Sequence, residues 1–370
     1  MSMPLQDEQA LWIALSRIPG LGSRGICQLL QQFGEPAHIF AAKTAQLRNV
    51  VSDAVADAIR AGPNLDDAAT TLQWLQQAGN HLITLADAEY PQALLEIPDP
   101  PALLYGKGQL ALLKRPALAV VGSRNATPQG IKNAEEFARA LGQQGHCIVS
   151  GLALGIDGAA HRGALDTPGG TIAVVGTGLD IVYPSRHLAL ARQIVEHGLL
   201  LSEFPLGTPS RAAHFPQRNR LISGLSRGCL VVEANLHSGS LITARLAAEQ
   251  GREVFAMPGS IHSPLSKGCH QLIKQGAKLV DDLADILSEI RLNEPVAGTE
   301  VDTNGTVLAS NKVDDPGHQL LEIMGFDPIS LEALLDSSGL TSDSLSAMLL
   351  VLELESKVAT LPGGRYQRIT

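Results

Sequence analysis

Between residues 117 and 256, short apolar runs alternate with helical stretches, and this alternation limits the fold more than any other feature of the chain. The runs at 117–121, 146–150, 171–175, 198–201, 228–232 and 252–256 are rich in Val, Leu, Ile and Ala, and most lack the polar alternation of a half-exposed strand. Strands buried on both faces belong to parallel sheets. Helical patterns lie between them at 128–144, 157–165, about 185–197, 217–225 and 240–250. Parallel neighbours need a crossover connection, and helices supply it on both faces of the sheet. An α/β fold with a doubly wound, Rossmann-like sheet is therefore expected.

In such sheets ligands sit beyond the carboxyl ends of the strands. Small-residue turns fall at those ends: Gly122-Ser123-Arg124, Gly151 to Asp157 with Gly155 inside it, Gly176-Thr177-Gly178, and His237-Ser238-Gly239-Ser240. Each turn leads into a helix, whose free N–H groups and dipole favour phosphate. A cluster of cations accompanies them. No Asp or Glu occurs from Phe204 to Val232, whereas Arg211, Arg218, Arg220 and Arg227 do, along with His214, Phe215 and Asn219. The net charge of −9 divides unevenly, with −6 over 1–100, +8 over 101–280 and −11 over 281–370. A basic middle between acidic ends points to an anion-binding centre. Several Gly-rich turns, spread arginines and an aromatic ring suit a nucleic-acid single strand better than a mononucleotide, because cations track the backbone and rings stack on bases.

The flanks read differently. Residues 1–80 are expected to form an all-helical domain, with Ile18-Pro19-Gly20-Leu21-Gly22 joining two helices in the manner of a helix-hairpin-helix or SAM-like unit. Residues 81–290 form the sheet domain, entered through a proline-marked extended segment. A polar, aperiodic stretch at 291–316 is expected to be a flexible linker. Three helical segments and a hairpin over 317–370 fit a winged helix. Its third helix begins Thr341-Ser342-Asp343 and carries Glu353 and Glu355. A helix that reads a DNA groove brings Arg or Lys, so this domain is expected to meet protein, or nucleic acid only weakly.

Catalytic signatures do not accumulate. Gly224-Leu225-Ser226-Arg227-Gly228 matches GxSxG, but a nucleophile elbow needs strand, serine, helix, and here the helix comes first. Gly176-Thr177-Gly178 lacks the third glycine of a dinucleotide fingerprint. The four cysteines form no CxxC pair, and no histidines have ligand spacing, so no metal or cofactor is expected. Asp157 and Glu233 follow strands and leave open an enzyme acting on a nucleotide or phosphoribosyl compound, although an Asp opening a helix is more often a cap. An adaptor with a merely structural core is a third possibility. No run spans a membrane and no signal peptide opens the chain, so a cytoplasmic location is expected.

Val121-Gly122-Ser123-Arg124, Ser150 to Asp157 with Ala160-His161, Ser202-Glu203-Phe204-Pro205, Phe215 to Arg220, Ser238 to Ala244 and Glu249 to Gly259 resemble the DprA/Smf DNA-processing proteins over nearly all of 80–290. Many members carry Arg or Lys where this chain has Leu154. The resemblance implies an extended Rossmann core that binds single-stranded DNA without catalysis. It also implies a homodimer, delivery of the strand to a RecA-type recombinase, and protection of incoming DNA in natural transformation. Ser123, Arg124, Gly151, Gly155, Phe215, Arg218, Asn219, Arg220 and Ser238 are the DNA-contact candidates. Leu272 and Ile273 are candidates for the dimer interface. Arg218 and Arg220, two apart on a helix, are not both expected to face the ligand.

Overall fold

The computed structural model describes residues 5–292 and 316–369. Most of the expected linker, 293–315, lies outside the described residues. The central sheet has nine strands: β1 (Asn80–Thr84), β2 (Leu103–Gly108), β3 (Ala117–Val121), β4 (Cys147–Ser150), β5 (Thr171–Val174), β6 (Leu199–Ser202), β7 (Gly228–Val231), β8 (Glu253–Ala256) and β9 (Lys278–Leu279). Their order is β1-β2-β6-β5-β4-β3-β7-β8-β9. Every pairing from β6 across to β9 is parallel. β2 runs antiparallel to both β6 and β1, extending the sheet at that edge.

Burial follows the period of two that a strand imposes. Ala117, Ala119 and Val121 pack with the His214–Gly224, Gly239–Glu249 and Lys267–Lys274 helices on one face. Leu118 and Val120 pack with the Pro128–Gln143, Ile156–Ala164 and Leu283–Leu292 helices on the other. The sheet is thus doubly wound, as expected. β1 and β2 are additions that the sequence reading passed over as an extended connection. They pair across the intervening 85–102 segment, so no tight-turn signal marks them.

Six helices fill Leu5 to Leu75. The first of them does not stay apart from the sheet. Trp12 and Ile13 share a buried cluster with Tyr105, Ala173 and Leu200. The sixth joins that cluster through Ala68 and Trp74, and the second to fifth close a core around Leu29, Ile39, Leu47 and Ile59.

The C-terminal part is a winged helix. Helices Pro316–Met324, Leu331–Ser338 and Ser342–Leu354 stand against a three-stranded sheet that includes Val358–Leu361 and Arg365–Arg368. Leu320, Leu334, Leu345, Leu349 and Leu352 form its core. Among the described residues, no helix is long and apolar enough to cross a membrane.

Candidate nucleic-acid interface

The strand order reverses between β3 and β7. From β3 the chain moves to β4, β5 and β6 on one side, then returns to place β7 on the other. Helices leaving β3 and β7 therefore diverge, and a crevice opens at the carboxyl ends. A cleft of about 630 Å³ occupies that point.

One wall is made of turns. The loop after β3 carries Ser123, whose Oγ accepts a hydrogen bond from the Asn125 amide at 3.1 Å. Gly155 adopts φ +76° and lies against the Ser123 carbonyl, a conformation and a fit that both require glycine. Its neighbour Ile156 donates its amide to that carbonyl at 3.2 Å. Asp157 closes the same turn: its Oδ2 accepts from the Gly151 amide at 3.1 Å and the Ala153 amide at 3.3 Å. Burial pushes the Asp157 carboxyl up, and Arg218 opposes that shift. Across the switch point, Ser238 caps the Gly239–Glu249 helix, accepting from the Ser240 amide at 3.4 Å.

The facing wall comes from the His214–Gly224 helix. Arg124 is exposed, and its guanidinium lies 5.5 Å from the Phe215 ring centroid. Arg218 approaches the same ring at 5.9 Å. It is only 4% exposed and donates from Nη1 to the Val174 carbonyl at 2.7 Å, with its Nε unpartnered. Burial lowers its pKa to about 10. Arg218 therefore forms the floor of the cleft and ties the helix to β5. Asn219 also lines the cleft.

The profile of DNA recombination-mediator protein A matches residues 81–291, more than half of the chain. The chain belongs to the DNA recombination-mediator protein A family. The DprA winged helix domain matches residues 307–364. Protein Smf of Escherichia coli is 43% identical over 301 residues, covering 81% of this chain and 80% of that protein. An X-ray structure of DNA processing protein A from Streptococcus pneumoniae aligns with TM-score 0.66 and 40% identity, covering 78% of this chain and 99% of that one. A structure of DNA processing protein A from Helicobacter pylori aligns with TM-score 0.52 and 32% identity, covering 58% and 97%. That structure is described for its single-stranded DNA binding mode.

Within this family member the acid-free arginines turn out not to form one patch. Arg220 points away from the cleft: its Nη2 donates to Glu203 Oε2, and its Nε lies 3.7 Å from Asp99. A helix turns about 100° per residue, so Arg218 and Arg220 cannot share a face. Arg220 thus leaves the set of cleft residues. Arg227 stands at the amino end of β7, where its amide bonds the Ala117 carbonyl at 2.8 Å, on the opposite edge of the sheet. The glycine hairpin at 18–22 does not line the cleft either.

Leu272 lines a separate groove of about 680 Å³ of mixed character, with Leu236, Leu241, Ile242 and Val254 beside Arg245, Arg252 and Gln271. Ile273 packs against the core and is not among the groove's lining. Several cleft residues were not singled out from the sequence, Tyr183 among them. Tyr183 lines the cleft, with its ring centroid 5.6 Å from that of Phe215. The signal available was the Tyr183-Pro184 pair shortly after the third Gly-rich turn.

Proposed function

We propose that this chain holds single-stranded DNA in the cleft at the switch point and hands it to a RecA-type recombinase, protecting incoming DNA during natural transformation. The make-up of the two walls carries the reading. One wall is small-residue turns with helix N-termini behind them and the exposed Arg124 among them, and the other is the aromatic pair Tyr183 and Phe215. This is the pairing of electrostatic groove and stacking platform that suits a single strand. Ser123, Asn219 and Ser238 are assigned to the backbone, Gly151 and Gly155 to the shape of the turn behind them, Phe215 with Tyr183 to the base side, and Arg218 to the floor. The Helicobacter pylori relative, named for single-strand binding, supports the single-strand reading.

The test is binding of oligo-dT across a range of salt. Arg124→Ala is expected to weaken binding and to flatten the dependence of log K on log salt by about 0.7, the loss of one phosphate contact. Unchanged affinity in the folded variant would remove Arg124 from the site. Preference for duplex over single strand in a gel shift would overturn the reading itself.

We read the role as binding without turnover. The two acid/base candidates are occupied structurally: Asp157 holds its turn, and Glu233 accepts from the Thr127 amide at 2.9 Å and its hydroxyl at 2.6 Å. Nucleotide turnover by purified protein, abolished by Glu233→Gln, would revive the enzyme alternative. The reading further takes the protein as a cytoplasmic homodimer built on units 1–80, 81–290 and 317–370. Recombinase delivery is tested by asking whether the protein speeds nucleation of a RecA-type recombinase on an oligonucleotide.

A further inference from the structure

Phe215 is a poor platform for a base by itself. Its ring is half-buried, and its surroundings are already taken. Two guanidinium groups, Arg124 and Arg218, lie 5.5 and 5.9 Å from its centroid. The Gly176 backbone stands behind it, so close that a methyl group there would touch Phe215 Cδ1 at 3.4 Å. The Tyr183 ring takes up a further side at 5.6 Å and 44°. A nucleobase stacking on Phe215 would have to displace one of these neighbours.

Tyr183 is in the opposite situation. It is 46% exposed on the wall of the same cleft. Among the described residues, one other aromatic ring is exposed, Phe326, and it lies under the Arg368 guanidinium in the C-terminal domain. The loop that presents Tyr183 is pinned. Thr177 Oγ1 donates to the Ile181 carbonyl at 2.8 Å, and the Ile181 amide donates to the Gly178 carbonyl at 3.0 Å. The Asp180 carboxylate accepts from the Gly207 amide at 2.9 Å, and the His187 amide donates to the Pro184 carbonyl at 3.0 Å. An open ring on a fixed loop needs little further ordering to bind, which favours affinity.

We infer that Tyr183 forms a nucleobase subsite: its ring is the surface on which a base of the bound strand stacks, and Phe215 is the wall that backs it. This role rests on the single-strand reading of the cleft. Stacking on a bare ring uses the π-face common to all bases, so the subsite reads no sequence. It divides the cleft into a backbone half, with Arg124 and the turns, and a base half, with Tyr183 and Phe215.

The experiment uses the full-length protein, oligo-dT, and a matched oligonucleotide carrying abasic sites. Tyr183→Ala is expected to weaken oligo-dT binding by about 5- to 150-fold, the range for losing one base–aromatic stack. Tyr183→Phe is expected to bind like the parent. The parent protein is expected to prefer oligo-dT over the abasic strand, and Tyr183→Ala to lose that part of the preference. A Tyr183→Trp variant supplies a second readout, because Trp12 and Trp74 are both buried. Its emission is expected to be quenched by oligo-dT and little changed by the abasic strand. If the parent protein binds neither strand, the single-strand reading fails and the subsite with it. If the parent binds and Arg124→Ala weakens it, but Tyr183→Ala binds equally well and the Tyr183→Trp emission does not move, the subsite alone is overturned.

Discussion

A methyl group placed on Gly151 would collide with Nη1 of Arg218 and stand 2.7 Å from Asp157 Oδ2. Gly151 therefore serves less as a phosphate contact than as the gap in which an arginine and a carboxylate meet. Gly151→Ala is expected to push Arg218 off the Val174 carbonyl, to cost about 1–3 kcal/mol by overpacking, and to weaken oligonucleotide binding through the displaced floor. Denaturant melts and oligo-dT titration read the two effects separately. Arg220 makes the contrasting case. Its partner Glu203 is buried, so Arg220→Ala leaves a carboxylate without its cation and is expected to cost about 3–5 kcal/mol, with little change in the affinity of the folded fraction. Burial pushes the Glu203 carboxyl from 4.5 up to about 7, although Arg220 pulls the other way. The folded state then holds that proton more tightly than the unfolded chain. Its contribution is fully present below about pH 4.5 and is lost as pH rises through about 7. The thermal midpoint of the parent is expected to fall between those limits relative to that of Glu203→Gln, and melts across pH 4 to 8 check it.

At the level of elements, the helix after β3 depends on a residue from β7's far end. Thr127 caps Pro128–Gln143, accepting from the Gly130 amide at 3.0 Å, and Glu233 in turn accepts from Thr127. The start of that helix is thereby tied to the loop after β7, across the switch point. Thr127→Ala removes the cap and one partner of Glu233, and is expected to cost about 1–2 kcal/mol in chemical denaturation. The third helix of the winged domain, Ser342–Leu354, contains no Lys or Arg. One side of it is core, with Leu345, Leu349 and Leu352 buried, while Leu350, Val351 and Leu354 are exposed. Leu349→Ala is expected to destabilise the domain by about 2–5 kcal/mol. Leu354→Lys, at a position 78% exposed, is expected to stay within about 0.5 kcal/mol of the parent.

Across the whole molecule, the cleft and the groove beside Leu272 share one helix. Ser238 and Ile242 line both of them. A dimer formed through the groove would therefore set two DNA clefts beside its own interface. Leu236 is 53% exposed in that groove, so Leu236→Lys is expected to give monomers in sedimentation equilibrium while leaving the thermal midpoint nearly unchanged. A Leu236→Lys protein that remained dimeric would move the interface elsewhere. The N-terminal helices are coupled to the sheet through Trp12, which packs in the cluster that holds Tyr105. They buttress the edge made by β1 and β2 and stand apart from the cleft.

The alternation of buried runs and helices determined the parallel sheet, and the small-residue turns marked the carboxyl edge of its strands, because both are written in neighbouring residues. Backbone period and turn chemistry act over a few positions and need no knowledge of distant partners. What the arginines do was decided only by the tertiary structure. Arg218 finds the Val174 carbonyl 44 residues away, and Arg220 finds Glu203 17 residues away on another side of the same helix. The edge strands β1 and β2, the 106-residue link from Glu233 to Thr127, and the pairing of Tyr183 with Phe215 were likewise settled in three dimensions. A charge cluster in sequence becomes a binding patch only if the rotation of its helix against the sheet turns those side chains the same way. Here that rotation sent one arginine to the floor of the cleft and its neighbour into a buried ion pair.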